Sequence, residues 1–544
     1  MGKYEETFPV VLASKCKIMD CIVNISNLSN KKKRGIPMKK KWISMVSALL
    51  VLSLACNVSA AAAAENTTTT TNLTSYGADY LTKTDGSFWV WGGNRSVPTQ
   101  IHDLNEVQAY FGSQYVMKKD LSVWQWRTSA YSEAVKVTPV QELDNLVDMF
   151  MTGNRTIALK GDGTILSAPL SSDGLTTSAF TPISGVDNVA AVGGYYESDL
   201  HKSWTRYVFL KKDGTVSTTR DDFESFETIQ NLTDIIQIKN NLALKKDGSI
   251  WSWPVQDYYK NQGAPIDLSA TPLKGISNIK SLKGNQNSLL AIDGASQLWF
   301  WGATITGSSD GTTYHEQPPI LLKGIKNVVD AYIVERSIVA LTGEGNVYQT
   351  SIENEMMPVD SKFTLLEKEV SSLKKGGRHI IMQKKDGSLW GWGVNKDAQL
   401  GYGDYEFSHA GPVPVQKPIS ISLNGESIPL SNGVITRNGQ NFVPLRSLFE
   451  KLGATITYKE NITAAKTIDK QIMITRTATD KPALAISING VTGATMVNNK
   501  SVNLPTLPFI VNGSMYLPLR FISEQLGANV EWLPQEERIA ITMQ

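Results

Sequence analysis

Leu242-Ala-Leu-Lys-Lys-Asp-Gly-Ser-Ile-Trp-Ser-Trp253 and Ile380-Ile-Met-Gln-Lys-Lys-Asp-Gly-Ser-Leu-Trp-Gly-Trp392 are the clearest of eight copies of one pattern. Each copy is a short apolar stretch, a charged turn and then a strand that is usually aromatic. The other turns fall at Asp85-Gly86, Lys119-Asp120, Asp162-Gly163, Asp213-Gly214, Asp293-Gly294 and Glu344-Gly345, a spacing of 34 to 51 residues. Repetition at that spacing marks stacked supersecondary units, each unable to bury its apolar face without a neighbour. Both residues of an Asp-Gly pair such as Asp386-Gly387 tolerate positive φ, which predicts a tight hairpin at each turn.

A second signal lies between the hairpins: Gly185-Val-Asp-Asn-Val189, Gly275-Ile-Ser-Asn-Ile279 and Gly324-Ile-Lys-Asn-Val328. Each reads as a turn feeding an apolar strand. Four short strands per unit, without helical periodicity, make a propeller blade. The expected fold class is mainly β: a seven- or eight-bladed β-propeller followed by a small, duplicated α+β stalk-like domain. The last unit lacks an outer Asn-Val strand, and Asn72-Leu-Thr-Ser-Tyr76 is expected to supply it, closing the ring from the N-terminus and removing exposed edges.

Five Trp-x-Trp pairs dominate the strands: Trp89/Trp91, Trp124/Trp126, Trp251/Trp253, Trp299/Trp301 and Trp390/Trp392. Alternate positions share one face of a strand, so each pair offers either a ligand platform or filling between blades. Because the pairs track the repeat itself, packing is the expected role. In three units Leu166, Ser217 and Tyr348 stand where a Trp would open the pair.

These units resemble the repeats of the regulator of chromosome condensation family. The last copy carries the family's Trp-Gly-x-Asn and Gln-Leu-Gly-x-Gly elements at Trp392-Gly-Val-Asn395 and Gln399-Leu-Gly-Tyr-Gly403. Gly376-Gly-Arg-His379 keeps its Gly-x-x-His lead-in. The resemblance implies a binding scaffold, and related propellers include a secreted β-lactamase inhibitor. Nucleotide exchange on a small GTPase, the role of the nuclear member, disagrees with the expected compartment and charge.

From Pro418 a different duplication appears at an offset of 74 residues. Asn438-Gly-Gln-Asn-Phe-Val-Pro-Leu-Arg446 returns as Asn512-Gly-Ser-Met-Tyr-Leu-Pro-Leu-Arg520, and Leu452-Gly-Ala454 as Leu526-Gly-Ala528. Asn-Gly predicts a hairpin turn, Pro444 and Pro518 each open a helix, and Gly453 and Gly527 stop it. Glu450 and Glu524 lie four residues beyond Arg446 and Arg520, which predicts framework ion pairs. This region resembles the domain named after the N-terminal part of copper amine oxidases, a stalk module of exported proteins in spore-forming bacteria. Residues 418–544 contain neither His nor Cys, however, and their methionines are dispersed, so no copper site is expected.

The full chain of 544 residues carries a formal charge of +2. Residues 1–64 hold ten Lys or Arg against three acids, leaving 43 basic and 48 acidic side chains beyond them. That mildly acidic balance gives no reason to expect a nucleic-acid partner. Met38-Lys-Lys-Lys41, the apolar run Trp42 to Cys56 and the alanines through Ala64 have the layout of a signal peptide, predicting export and no membrane span after cleavage. Residues 1–37 then read as an untranslated or non-native extension, 38–64 as the signal peptide and 65–74 as a Thr-rich linker. The propeller is assigned to 75–417 and the stalk-like domain to 418–544.

All three cysteines precede residue 65, so the remaining chain has no disulfide, thiolate nucleophile or Cys-ligated zinc. The expected location is the surface or medium of a Gram-positive bacterium. His102, His201, His315, His379 and His409 show no metal-ligand spacing and are expected at surface or turn positions. No nucleophile elbow or phosphate loop occurs. The expected function is non-enzymatic, without catalytic residues, cofactor or metal. The propeller loops at 171–178 and 303–317 would bind a protein or wall polysaccharide, and the C-terminal module would serve as spacer or attachment. The competing reading is a hydrolase or lyase using carboxylates at the propeller channel.

Overall fold

A computed structural model describes residues 72–112, 114–128, 135–170, 179–220, 223–262, 264–285, 287–307, 311–462, 468–476 and 483–543. The signal-peptide segment and the loop at 171–178 lie outside the described residues. From Leu73 to Pro414 the chain forms eight four-stranded sheets, each an antiparallel meander of consecutive strands. The fifth is representative, with strands Ile235–Lys239, Leu242–Lys245, Ile250–Ser252 and Thr271–Pro272. From the third sheet to the eighth, the opening strands of neighbouring sheets approach one another, which sets them nearest the axis.

Eight apolar clusters join these sheets pairwise. Leu242, Leu244 and Ile250 of the fifth blade pack on Ile279, Leu282 and Trp301 of the sixth. Six further clusters make the equivalent joints between consecutive blades. The eighth cluster sets Ile381, Leu389 and Val415 of the last blade against Tyr76, Leu81, Trp89 and Trp91 of the first. The propeller is therefore a closed ring of eight blades.

The seam differs from the sequence expectation. Leu73–Tyr76 pairs with Tyr80–Lys83 inside the first sheet, and Val413–Pro414 supplies the fourth strand of the last. Among the described residues no strand is exchanged across the seam. The last unit has its opening strand too, at Val370, preceded by Glu369 with φ 56° where other units place Asn188, Asn278 and Asn327 at 53°, 58° and 55°. The left-handed conformation is what the fold requires there, and Glu369 adopts it without the Asn signal. Side chains and loops seal the gap: Tyr76 Oη lies 2.7 Å from Ser372 Oγ, and the Trp91 indole donates to the Gln399 carbonyl at 2.9 Å. His379, expected at the surface, is buried, with Nε2 2.8 Å from the Ala78 carbonyl. Its burial disfavours the imidazolium and holds its pKa below the usual value.

The hairpins also differ in type. Gly248 N donates to Lys245 O and Gly387 N to Lys384 O, both at 2.9 Å, with only the glycines (φ 83° and 84°) left-handed. This is a type I turn closed by a bulge, rather than a turn with both central residues at positive φ. In the sixth blade the turn is Asp293–Ser296, so Asp293 occupies the position held by lysine in six of the other blades and by Thr342 in the seventh, and Ser296 (φ 59°) that of glycine in most. The turns are only half solvated. Asp247 is exposed, but a Cβ at Gly248 would meet the Asn278–Ile279 backbone at 2.9 Å, and Ile279 N donates to Gly248 O.

Each turn fixes the first tryptophan of its own strand. Asp247 Oδ1 accepts from Ser249 Oγ at 2.6 Å, Ser249 Oγ accepts from the Trp251 indole at 3.1 Å, and Lys245 Nζ lies 4.2 Å from the ring centroid. The same relay joins Asp386, Ser388 and Trp390 under Lys384. In the sixth blade Asp293 takes the Trp299 indole directly at 2.9 Å. In the second, fifth and sixth blades the second tryptophan goes deeper, Trp126, Trp253 and Trp301 being 2–6% exposed; in the first blade Trp89 and Trp91 are both buried, and in the last Trp390 and Trp392 are both half-buried. Every pair faces the preceding blade, as Trp253 does when its indole donates to Tyr195 Oη at 2.8 Å. Where tryptophan is missing, aromatic side chains from connecting loops and the preceding blade fill the wedge. Phe180 meets Tyr115 beside Leu166, Phe223 stacks on Tyr207 near Ser217, and Phe300 and Phe363 pack near Tyr348.

Residues Ser420 to Met543 build three sheets around one core. The duplicated hairpins meet through Gln440–Pro444 and Ser514–Pro518, with Val443 opposite Leu517. Here both Asn-Gly turns do have two left-handed residues: Asn438 50° and Gly439 71°, Asn512 46° and Gly513 75°. Pro444 and Pro518 end these strands and cap helices Leu445–Phe449 and Leu519–Gln525. Gly453 and Gly527, at φ 81° and 84°, follow the helix ends. Arg520 reaches Glu524 at 3.5 Å in an exposed pair, whereas Arg446 lies 5.2 Å over the Tyr458 ring, so the expected ion pair forms in only one copy.

Strand alternation gives the central sheet of this module two apolar faces. Val443 and Leu517 enter the module core, while Phe442 and Tyr516 point the other way and cover Val97 of the first blade. Ser96 N donates to Asn432 Oδ1 at 3.1 Å, and Gly433 N to Thr99 Oγ1 at 2.9 Å. Lys83 pairs with Glu537 at 3.1 Å, both side chains almost fully buried. Both Glu537 oxygens nonetheless lack a well-aligned hydrogen bond, so charge rather than hydrogen-bond geometry holds that contact.

Two stability predictions arise from this packing. Trp253→Ala should cost about 3–5 kcal/mol, as for other fully buried aromatics, and half-exposed Trp251→Ala distinctly less. Urea unfolding midpoints at unchanged slope measure both. Glu537→Gln should cost about 3–5 kcal/mol by stranding the Lys83 ammonium, and Lys83→Met in the same chain should recover most of it. The double-mutant cycle decides whether the pair, rather than either side chain alone, is responsible.

Candidate functional site

In a four-stranded meander the first and third connections lie at one end and the second at the other. The Lys-x-Asp-Gly turns, the second connections, therefore sit opposite the long loops. On the loop end, blades four to seven are cross-braced. Ser198 N donates to Gln256 O at 3.0 Å, and Tyr258 N to Ser198 Oγ at 3.0 Å, joining the fourth blade's hairpin to the short helix Tyr258–Asn261 of the fifth. Lys260 pairs with Glu316 of the sixth blade. Ile305 N then donates to Ile352 O at 3.0 Å, and Met357 N to Gln317 Oε1 at 2.7 Å, tying the sixth blade to the seventh.

The fourth blade's hairpin stands on a buried charge. Glu197 is sealed from solvent; its Oε2 accepts from the Trp204 indole at 2.9 Å and has Arg206 Nε at 2.9 Å, as an ion pair poorly aligned for a hydrogen bond. Arg220 completes the group, 4.0 Å from the carboxylate and 4.7 Å over the Trp204 ring.

On this braced edge five large apolar side chains point outward: Tyr196, Leu200, Tyr259, Tyr314 and Met356, from 53% to 92% exposed. The sequence reading anticipated the segment 303–317, which contributes Tyr314. It did not anticipate the fourth- and fifth-blade loops, whose Tyr and Leu residues carry no repeat signature. The tryptophan pairs are not part of this surface.

The opening strands nearest the axis carry few acids. Asp330 pairs with Lys283 at 3.2 Å, and Lys283 also donates to Tyr332 Oη at 3.2 Å, which holds the lysine pKa above its usual value despite burial. Burial pushes Asp148 up, in the next acid-bearing strand of that set. Among the described residues no group of three His, Cys, Asp or Glu side chains gathers into a metal-binding cluster. His102, His201, His315, His379 and His409 remain apart, with His409 Nε2 3.3 Å from Asp404 and His315 Nε2 2.7 Å from Thr306 Oγ1.

Residues 422–541 match the family model of the copper amine oxidase N-terminal domain. No curated protein matches the chain. Among solved structures it is similar to human WBSCR16, at 16% identity over 53% of this chain and 89% of that one, with a TM-score of 0.35. It is similar to Prp20p of Saccharomyces cerevisiae, described with its binding to Gsp1p and histones, at 13% identity over 64% of this chain and 87% of that one, with a TM-score of 0.38. A third is the computationally designed Ika8 protein, at 16% identity over 60% and 97%, with a TM-score of 0.33. The eight-bladed assignment stands on the sheets and their joints.

The copper implied by the module's family name finds no suitable donors. The segment has no imidazole or thiolate; Met515 belongs to the buried core, and Met543 packs against it. Hard carboxylate and amide oxygens do not replace them for copper. The purified chain, loaded with copper and desalted, should retain less than one copper per chain by elemental analysis and release no peroxide from an amine.

Proposed function

We propose that this chain is an exported, non-enzymatic cell-envelope protein whose propeller binds a protein or wall-polysaccharide partner. The observation that carries the reading is the cross-braced edge of blades four to seven. Isolated exposed apolar residues are ordinary, but several tyrosines on mutually braced loops present contact area at little entropic cost on binding. Tyrosine suits either class of partner, stacking on sugar faces or anchoring in a protein pocket while its hydroxyl stays hydrated.

The C-terminal module is proposed to serve as attachment. Its contacts to the first blade support a fixed orientation over a freely swinging spacer, so a partner held by the module would present the loop end in a defined direction. Export rests on the n-region, apolar run and alanine exit of residues 38–64. Among the described residues no helix is long and apolar enough to cross a membrane.

The test uses the mature chain immobilised in one orientation, challenged separately with envelope protein extract and purified wall glycan. Tyr259→Ala combined with Tyr314→Ala should lower retention of the bound fraction at least tenfold while leaving the melting temperature within a degree or two, as surface changes do. Retention unaffected by the double variant would place the binding surface elsewhere. N-terminal sequencing of protein from culture medium or wall should begin between Ala61 and Asn66; a chain recovered only from cytosol and starting at Met1 would remove the export half of the proposal.

A further inference from the structure

Among the described residues, two of the three buried Lys and Arg side chains face an acid. Lys83 has Glu537, and Arg206 has Glu197. Arg95, which opens the fourth strand of the first blade opposite Gly92, is the exception: it is 7% exposed, and no carboxylate among the described residues pairs with it. Its guanidinium lies 5.3 Å over the ring of Trp126 from the second blade. Arg95 Nε is buried without a hydrogen-bond partner, and so is Trp126 Nε1. The ionisable groups that act on Arg95 are the phenols of Tyr110 and Tyr405. Tyr405 already donates to the Gly93 carbonyl at 2.9 Å. Burial, partly offset by the two phenols, lowers the Arg95 pKa to about 10, which still leaves it fully charged at neutral pH.

A buried guanidinium Nε–H and a buried indole N–H in one cation–π contact, both without acceptors, are costly to leave so. They have in common that each lacks an acceptor and neither lacks a donor. We propose that Arg95 and Trp126 form a binding site for a carboxylate monoanion. A carboxylate is acceptor-only, planar and matched to the guanidinium fork, with lone pairs left for the indole N–H. One positive charge balances one negative charge; a phosphate dianion would bring a second charge into a place with no second cation, at a desolvation cost that nothing there offsets. The terminal guanidinium nitrogens are not among the sealed atoms and give the ligand its approach. This site lies between the first two blades, apart from the tyrosine-bearing edge, and stands independently of it.

The intact mature chain is titrated by calorimetry with sodium acetate, sodium glucuronate and N-acetylglutamate, each against sodium chloride at matched ionic strength, with sodium sulfate as the dianion control. One carboxylate should bind per chain, saturably, and raise the melting temperature above the chloride reference, with sulfate at least tenfold weaker. Arg95→Met should abolish the heat of binding. Trp126→Phe keeps an aromatic face but removes the N–H and part of the buried indole; it should weaken binding several-fold, with its stability cost read separately from the melting temperature of the unliganded variant. Arg95→Lys, which keeps charge but loses the fork, should weaken it more than tenfold and serves if the methionine variant does not fold. Preference for glucuronate assigns a sugar acid, and preference for N-acetylglutamate an amino-acid carboxylate. A response no greater than chloride for all three acids, or one unchanged in Arg95→Lys and Trp126→Phe, overturns the proposal.

Discussion

The whole structure depends on the burial of one blade's aromatic strand against the blade before it. Each four-stranded sheet is too small to be stable alone, because both its faces are apolar and only a neighbour can cover them. Seven such contacts in series leave two unsatisfied faces unless the last blade meets the first. The contact of Tyr76, Trp89 and Trp91 with Ile381, Leu389 and Val415 supplies that meeting without a shared strand. Ring closure here is a packing event backed by a few hydrogen bonds, so it relies more heavily on neighbouring structure than a strand exchange would.

The C-terminal module supplies some of that support. Its central sheet uses one face for its own core and the other, through Phe442 and Tyr516, for the first blade. Tyr405 and Gln416 of the last blade's loop reach the same region, Tyr405 packing on that cluster and Gln416 bonding Thr436. The module thus touches both sides of the seam. Lys83 shows how the repeat was adapted for this: in other blades the equivalent lysine lies over its own tryptophan, and in the first it also reaches Glu537. The same position serves local packing in one unit and docking in another.

The repeat also explains why candidate chemistry is absent from its most conspicuous residues. The Asp-Ser-Trp relays are spent on fixing indoles in the wedges. The parts free to vary are the first and third connections, and those of blades four to seven brace one another and carry exposed Tyr, Leu and Met side chains. A rigid ring with variable loops at one end separates stability from recognition, since a change at Tyr259 or Tyr314 touches no inter-blade joint.

The repeat period, the two-residue spacing of the tryptophans and the duplicated Asn-Gly-to-Arg motif determined by themselves that this is a propeller with a twofold-repeated module behind it. They report local constraints: a hairpin needs a turn, a pleated strand shows alternate residues on one face, and a helix needs a start and a stop. The turn type was less legible, because the residue forced to positive φ is fixed by its place as the fourth residue of the turn, so Leu121 and Ser296 occupy it unannounced. His379 looked like a surface residue because nothing nearby in the chain says that Ala78 will cover it. The loop edge, the Lys83–Glu537 pair and the unpartnered Arg95 over Trp126 were decided by tertiary structure alone. Each depends on which side chains arrive from other blades or from the other end of the chain, and on how much water they exclude, which no local pattern encodes.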